Sequence, residues 1–175
     1  MVLICSHFLT EKECQFWKDY CLFAAPNNTK EVGLVRSDKL LHRVDRKYYT
    51  IRDKFGFMER VKDLAQERWN RKLFYSYNNY GHIMHYCKQG QGLEWHNEPT
   101  IATVSVSINL SSEDEYKGAD FEIRGHKFKL NQGDAVFYDS KLLHRVAPLL
   151  EGHKKSFVMW LCNRKQAQRA ARKGK

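Results

Sequence analysis

The sequence lacks any run of apolar residues long enough to cross a lipid bilayer. A membrane-spanning helix needs about 20 consecutive, mainly apolar residues. The first ten residues, MVLICSHFLT, are apolar only briefly and contain neither a basic segment nor a small-residue cleavage site, so we expect no secretory signal. The lack of both features predicts a protein without membrane contact.

Cysteine pairs of the kind that build small folds are also missing. The chain has five cysteines, an odd number, and no Cys-x-x-Cys. A disulfide framework or a thiolate zinc site is therefore not expected, and we predict reduced thiols in a cytoplasmic protein. The 175 residues suffice for one domain with its own core and are too few for two. We expect a single domain over residues 1–175, and the sequence leaves its oligomeric state open.

Acidic residues are absent from the C-terminal segment 164–175, in a chain whose net charge is +10. The basic residues of this segment are Arg164, Lys165, Arg169, Arg172, Lys173 and Lys175. Two interpretations remain. The segment is either a solvated, frayed tail or an electrostatic contact for nucleic acid, a ribosome or an acidic protein substrate. It has no aromatic residue on which a base could stack.

Apolar residues recur at helical spacing in two parts of the first half. Thr10, followed by acidic residues, predicts the start of a helix, and the apolar pattern then continues until Pro26. A second apolar stripe predicts a helix from about 55 to 72. Between them, the segment 27–53 is mixed and basic, and we predict only loops with short strands there.

From residue 74 onward the apolar pattern changes to a period of two. In the clearest run, ATVSVSINL from Ala102 to Leu110, apolar and polar side chains alternate as on a strand with two different faces. Further strand candidates, separated by glycine turns, are 83–87, 121–124, 127–130, 135–138 and 156–162. The pattern predicts a mostly β fold, with a jelly-roll (double-stranded β-helix) core at about 74–163 braced by two or three helices at about 8–72.

One histidine–carboxylate pair has the spacing of a metal site. His96 and Glu98 are two positions apart, so on a strand both side chains point to one face. His144 follows a predicted strand further along the chain. Two imidazoles and one carboxylate form the facial triad of non-haem iron(II) oxygenases, which leaves coordination positions open. His82 and His85, on opposite faces of one strand, are interpreted as structural.

A lysine near the last predicted strand is expected to face the interior. If 154–161 is a strand, Lys154, Ser156 and Trp160 share one face. A buried ammonium group is destabilising unless it is paired, and an anionic ligand would be a suitable partner. Alternatively, Lys154 and Lys155 are ordinary exposed residues after a glycine turn.

From Tyr86 to Trp160 the chain resembles the prolyl 4-hydroxylase-like branch of the 2-oxoglutarate/Fe(II)-dependent dioxygenase superfamily. The matching motifs are YCKQGQGLEWHNEP (86–99), YKGADFEI (116–123), GDAVF (133–137), HRVAP (144–148) and GHKKS (152–156), followed by Trp160. They stand in the order and at nearly the spacing of that family. The resemblance covers somewhat under half of the chain.

The resemblance implies a set of ligands and cofactors. His96, Glu98 and His144 would bind Fe(II), and Lys154 would pair with the distal carboxylate of 2-oxoglutarate, where many relatives have arginine. The other residues expected around the cosubstrate are Tyr86, Ser107, Asn109, Ser156 and Trp160. O2 would be the second substrate and ascorbate a supporting reductant, and no residue beyond the metal ligands would be catalytic.

Glu98 departs from the pattern of this branch, in which the carboxylate ligand is usually aspartate. The additional methylene moves the carboxylate by about 1.5 Å, the length of one C–C bond. Either the strand lies slightly further from the metal or the ligand binds differently. An acidic residue still argues for hydroxylation, because a glycine or alanine there would open a site for halide.

The implied function is hydroxylation of a C–H bond, that of a prolyl residue in a protein or peptide, with release of succinate and CO2. Substrate choice is expected to come from loops such as 32–54, although that segment could equally be a solvated lid. Two alternatives remain open. The positive charge favours an oxygenase acting on nucleic acid or on a nucleic-acid-bound protein, and Glu98 and the short chain favour a jelly-roll binding module without turnover.

Overall fold

The computed structural model describes residues 1–23, 33–37, 40–45, 47–52, 56–76 and 80–173. Within these ranges the chain forms fifteen strands and three α-helices. The helices are α1 (Glu11–Phe23), α2 (Phe57–Trp69) and α3 (Arg164–Lys173). None of the three is long and apolar enough to span a bilayer.

Seven strands, paired antiparallel, form the larger sheet. In spatial order they are β1 (Val2–Cys5), β12 (Ala135–Asp139), β8 (Val104–Asn109), β15 (Lys154–Cys162), β6 (Tyr80–Tyr86) and β4 (Lys47–Arg52), with β5 (Phe74–Tyr75) beside the end of β15. Strands β8 and β15 lie at its centre, and most of their residues are buried.

Six strands form the smaller sheet. In spatial order they are β11 (His126–Phe128), β10 (Phe121–Ile123), β13 (His144–Val146), β7 (Gly92–His96), β3 (Leu40–Asp45) and β2 (Gly33–Ser37), and β14 (Leu149–Gly152) pairs separately with β9 (Tyr116–Gly118). From β6 onward the chain passes repeatedly from one sheet to the other, which is the winding of a double-stranded β-helix. The predicted jelly-roll fold is confirmed.

The first two helices cover the outer face of the larger sheet. At the start of α1 the Thr10 hydroxyl accepts a hydrogen bond from the backbone N–H of Glu13 (3.2 Å), and the Glu13 carboxylate accepts one from the N–H of Thr10 (2.8 Å), which is a capping box. Phe57 of α2 lies 5.4 Å from the ring of Trp17 and 4.7 Å from that of Phe157 on β15. The apolar face of β15 is therefore the face that packs against the helices.

Strand β8 has one apolar and one polar face, and both are buried. Val104, Val106 and Ile108 belong to the apolar core that includes the helices. Ser107 and Asn109 line a cavity between the two sheets. The alternation seen in the sequence therefore separates a helix-facing side from a cavity-facing side, rather than a buried side from an exposed one.

Both sheets also contain strands from the N-terminal half of the chain. The predicted division into helices at about 8–72 and a β core at about 74–163 differs from the structure, because β1 and β2 to β4 precede residue 74. Strand β2 pairs with its neighbour β3, but β1 pairs with β12 and β3 with β7, which are far away in sequence. Local periodicity does not report such pairings. The proposed helix stop at Pro26 lies outside the described residues.

The C-terminal segment begins as a capped helix, which differs from the interpretation as a frayed tail. The Asn163 side chain accepts a hydrogen bond from the backbone N–H of Gln166 (3.0 Å), and the Gln166 side chain accepts one from the N–H of Asn163 (2.8 Å). The Gln166 amide also donates to the carbonyls of Pro99 (2.9 Å) and Ala102 (3.0 Å). Helix α3 is thereby fixed to the turn that follows Glu98.

Candidate metal centre

The two candidate histidines face each other on neighbouring strands of the smaller sheet. His96 is the last residue of β7, His144 is the first of β13, and the two are paired in register. Their rings lie 4.1 Å apart, and each residue is 3% exposed. The fold thus brings two distant parts of the sequence together inside the cavity.

Hydrogen bonds to the backbone fix the tautomer of both rings. His96 Nδ1 lies 2.8 Å from the carbonyl oxygen of Glu94, and His144 Nδ1 lies 2.9 Å from that of Leu142. Since a carbonyl oxygen can only accept, each Nδ1 carries the hydrogen, and Nε2 is the nitrogen able to bind a metal ion. This is the arrangement found around metal-binding histidines, whose second ring nitrogen donates to a nearby acceptor.

Glu98 supplies the carboxylate from a turn beyond the end of β7, and not from the strand as the sequence suggested. Its backbone N–H donates to the carbonyl of Ser140 at 2.8 Å, and its own carbonyl accepts from the N–H of Ile101 and of Ala102. The carboxylate nevertheless turns towards the imidazoles. Oε1 lies 3.7 Å from His96 Nε2, and Oε2 lies 3.8 Å from His144 Nε2.

The electrostatic surroundings keep Glu98 ionised. Burial raises the pKa of its carboxyl group, but the positive charge that the His96 and His144 rings carry when protonated and the indole N–H of Trp160 together outweigh burial and lower the pKa to about 2. The indole Nε1 donates to Oε2 at 2.7 Å and the Ser105 hydroxyl at 3.1 Å. A buried carboxylate held as an anion is suited to bind a cation.

The donor set of this cluster fits a divalent transition metal. The ligand atoms of His96, Glu98 and His144 all lie within 4.8 Å of one another, and in the described part of the chain this is the group of histidine, cysteine and acidic residues close enough to share an ion. The N···O separations of 3.7 and 3.8 Å are too long for hydrogen bonds and leave room for an ion between the atoms. Two imidazoles and one carboxylate are the facial set typical of Fe(II).

Lys154 lies in the same cavity and is 4% exposed. Its Nζ donates to the carbonyl oxygen of Ala119 at 2.5 Å and lies 5.0 Å from the ring of Tyr116. Burial lowers the pKa of this ammonium group to about 8, and the negative charge of Asp120 opposes this shift without cancelling it. One carbonyl leaves two of its three donors for another acceptor. The interpretation of Lys154 as an exposed residue is therefore wrong.

The cavity also contains the other residues proposed from the sequence. It has an empty volume of about 600 Å³, part of it open to solvent, and it is lined by Tyr86, Ser107, Asn109, Ser156 and Trp160 together with the three candidate ligands and Lys154. The strand register explains this grouping, because Tyr86 pairs with Lys154 and Asn109 with Ser156. Their positions agree with the prediction, and their roles remain proposals.

Two serines that were not among the expected site residues form a hydrogen-bonded pair beside the Glu98 carboxylate. Ser105 donates to the carboxylate, and its Oγ lies 2.8 Å from that of Ser140. Ser105 lies on the polar face of β8 with Ser107 and Asn109, so strand parity could have found it. Ser140 lies in the turn after β12, and no local pattern marks it.

The two histidines interpreted as structural lie on β6. His82 Nδ1 lies 3.3 Å from the hydroxyl of Thr50, and its ring is 5.5 Å from that of Trp160. The ring of His85 is 5.7 Å from that of His153. Neither histidine belongs to the metal cluster of the described residues.

This jelly-roll architecture is the fold of solved prolyl hydroxylase structures. It superposes on a viral collagen prolyl hydroxylase from Paramecium bursaria Chlorella virus-1 with a TM-score of 0.65, 16% identity, and coverage of 91% of this chain and 94% of that one. It also superposes on a prolyl-4-hydroxylase of Pseudomonas putida with a TM-score of 0.62 and 14% identity, covering 93% of this chain and 92% of that one. Identities this low show a common fold.

Sequence comparison points to the same branch. A PKHD-type hydroxylase of Teredinibacter turnerae is 36% identical over 70 residues, which are 37% of this chain and 31% of that protein. A PKHD-type hydroxylase of Colwellia psychrerythraea matches with the same values. No family model matches the chain. The aligned segment thus spans about a third of these relatives, and the resemblance to prolyl 4-hydroxylase-like oxygenases is confirmed at the level of fold and local sequence.

Proposed function

We propose that residues 1–175 form one Fe(II)- and 2-oxoglutarate-dependent dioxygenase domain that hydroxylates a C–H bond. The observation that carries the proposal is the meeting of His96, Glu98 and His144 beside the buried ammonium group of Lys154 in one cavity. When bound there, Fe(II), 2-oxoglutarate and O2 would supply the oxidising chemistry, which yields succinate, CO2 and a hydroxylated product. The five cysteines are free, which supports a reducing compartment such as the cytoplasm.

The protein's own contribution is to hold these groups and to limit water. His96, Glu98 and His144 would occupy one face of the metal and leave the other face to cosubstrate and oxygen. The apolar part of the wall is formed by Met84, Leu93, Phe121, Leu130, Val146 and Val158. No nucleophile or general base is needed, in keeping with the expectation that the metal ligands are the catalytic residues.

Lys154 would hold the distal carboxylate of 2-oxoglutarate. A buried ammonium group with a single carbonyl partner is destabilising, and an incoming carboxylate would offset that cost with charge-assisted hydrogen bonds. Tyr86 and Ser156 lie on the same cavity wall, on the strand next to Lys154 and on its own strand. We place the cosubstrate against this wall.

For the substrate we propose a prolyl residue in a protein or peptide. The support comes from those similar structures that are prolyl hydroxylases. One of them, from Trichoplax adhaerens, was solved with a peptide fragment of the hypoxia inducible factor oxygen degradation domain and superposes with a TM-score of 0.64 at 14% identity, covering 97% of this chain and 86% of that one.

The first test is formation of succinate from 2-oxoglutarate by the purified chain with Fe(II), O2 and ascorbate. We expect slow succinate release without substrate, and faster release together with a one-oxygen mass increase in a proline-containing peptide from a library. The control is the same mixture without iron. If the chain neither binds iron nor releases succinate, it is the alternative binding module without turnover.

A second candidate function, oxidation of a nucleic acid or of a protein bound to it, is favoured by one surface. The exposed side chains Arg164, Lys165 and Arg169 lie on α3, which packs beside β5. Arg68, Arg71 and Lys72 are exposed at the end of α2, just before β5. In the described ranges no carboxylate forms an ion pair with the three α3 residues, whereas Lys117, Lys127 and Lys129 are each paired with one.

We expect the basic surface of α3 to bind single-stranded RNA in a salt-dependent way. Replacing Arg164, Lys165 and Arg169 together by alanine should lower the slope of log K against log salt by about 2, since each phosphate contact contributes about 0.7. The measurement is fluorescence anisotropy of a labelled 20-nucleotide RNA at several salt concentrations. The matched control replaces Lys117, Lys127 and Lys129. An equal decrease of the salt slope in both triple variants, or no binding at 150 mM salt, would contradict a nucleic-acid contact.

A further inference from the structure

The carboxylate of Glu98 reaches from one sheet to the other. The imidazoles that it faces lie on β7 and β13 of the smaller sheet, whereas its two hydrogen-bond donors, Ser105 and Trp160, lie on β8 and β15 of the larger sheet. Ser105 and Trp160 are directly opposite each other in the β8–β15 register. They therefore present their donors as one rigid pair at the centre of the sheet.

Both donors point to the same oxygen. Trp160 Nε1 lies 2.7 Å and Ser105 Oγ 3.1 Å from Oε2 of Glu98. Since an ionised carboxylate only accepts, the single hydroxyl hydrogen of Ser105 is used on Glu98, and the bond of 2.8 Å between Ser105 and Ser140 must be donated by Ser140. A chain of hydrogen bonds thus runs from Ser140 through Ser105 to the carboxylate.

The backbone of Glu98 is held as firmly as its side chain. Its N–H donates to the carbonyl of the same Ser140, and its carbonyl accepts from Ile101 and Ala102 in the turn. Aspartate at this position would be about 1.5 Å shorter, one C–C bond. With the backbone fixed, an aspartate carboxylate would lie further from the larger sheet and could not accept hydrogen bonds from Ser105 and Trp160 at the same time.

We propose that Ser105 and Trp160 form a clamp that positions the Glu98 carboxylate for the metal, and that this clamp makes glutamate a requirement of the site. The proposal rests on the metal centre of the proposed function. Glutamate has one more rotatable bond than aspartate, and two fixed donors remove that freedom before the metal arrives. Both clamp residues act through Glu98 and are positioning residues.

The test is the affinity for Mn(II) without 2-oxoglutarate, measured from the electron paramagnetic resonance signal of free Mn(II). We expect Ser105→Ala and Trp160→Phe each to raise the Kd by about 10- to 100-fold, the usual cost of losing an outer-shell partner. Glu98→Asp should also raise the Kd by at least about tenfold. In the Glu98→Asp background, the two clamp substitutions should add less than about threefold, because their partner is already out of reach.

Two matched controls separate the clamp from general damage. Ser111 is 1% exposed, like Ser105, and Trp69 Nε1 donates to Asp139 at 2.7 Å, the same length as the Trp160 bond. Ser111→Ala and Trp69→Phe should leave the Mn(II) Kd within about twofold, since neither residue contacts a ligand of the site. Thermal unfolding of every variant confirms that the folded protein is being measured.

The proposal is overturned if Glu98→Asp binds Mn(II) as tightly as the wild type or more tightly. It is also overturned if folded Ser105→Ala and Trp160→Phe match the controls, or if they weaken binding equally in both backgrounds. Succinate formation by the wild type is measured in parallel. If the Mn(II) Kd values change as expected but the wild type forms no succinate, the clamp is supported and the dioxygenase is contradicted. If the wild type forms succinate but the clamp variants bind Mn(II) as tightly as the wild type, the clamp alone is contradicted.

Discussion

His144→Ala is expected to abolish both metal binding and 2-oxoglutarate turnover. His144 supplies one of three ligand atoms, and removing a ligand should cost more than the 10- to 100-fold typical of an outer-shell partner, so we expect a loss of more than about 100-fold in succinate formation. His96→Ala should behave in the same way. The measurements are iron content by mass spectrometry and succinate by NMR, under identical Fe(II) loading.

The matched control for this experiment is His126→Ala. His126 lies on β11 and is exposed, so its loss should change neither iron content nor succinate formation. Because His144 also packs against Tyr138, with ring centroids 4.7 Å apart, the alanine variant should be less stable and must be assayed below its own Tm. If a folded His144→Ala protein kept its iron and a tenth of the wild-type turnover, His144 would not be a metal ligand.

Binding of 2-oxoglutarate is expected to weaken as the pH rises above about 8, because the anchoring group at Lys154 then loses its proton. Burial lowers the pKa of this lysine to about 8, and only the charged form attracts a carboxylate. If the neutral form does not bind, the Kd should rise about fivefold between pH 8 and pH 9, because the protonated fraction of Lys154 falls from about one half to about one eleventh. The measurement is isothermal titration calorimetry with Mn(II) in place of iron.

Lys154→Arg provides the decisive comparison, because a guanidinium group stays protonated throughout this range. Its Kd for 2-oxoglutarate should be flat between pH 7 and 9.5, whereas Lys154→Ala should be weak at every pH. A charge-assisted bond of roughly 1.5–3 kcal/mol corresponds to a loss of about 10- to 150-fold. Lys155→Ala, altered on the opposite face of β15, should match the wild type. Wild-type affinity of the Lys154→Ala variant for 2-oxoglutarate would show that Lys154 does not anchor the cosubstrate.

The lowered pKa of Lys154 also predicts how the free energy of unfolding of the ligand-free protein depends on pH. The pKa of Lys154 falls from 10.5 in the unfolded chain to about 8 in the folded one, so between these values the unfolded state holds more protons. The contribution of Lys154 to the free energy of unfolding should therefore rise with pH from about 8 to about 10.5. Asp120 and the ring of Tyr116, the other groups facing the ammonium, do not reverse this sign, because burial is the largest cause of the shift.

Several features of this protein could be predicted from local sequence. The apolar spacing located α2 and its Phe57, and the alternation from Ala102 to Leu110 located β8. Strand parity correctly placed Lys154 and Trp160 on one face of β15. These predictions succeeded because helices and strands repeat every few residues, so a short window contains the information.

Other features could not be predicted in this way. Strand parity placed Glu98 on β7, but the strand ends at His96 and the carboxylate arrives from a turn. That turn is held by Ser140, which belongs to a remote segment. Nor did the pattern of β8 show that its polar face is buried, because a period of two distinguishes two faces without saying what covers each.

The amino-acid sequence by itself determined the types of secondary structure, the order of the motifs, and the kinds of side chain available to a metal and to an anion. Only the tertiary structure decided that His96 pairs with His144 and that Ser105 and Trp160 hold the carboxylate between the sheets. The physical reason is that these contacts join strands that are remote in the chain. Their register is set by packing of the whole sandwich, and no short segment contains that information.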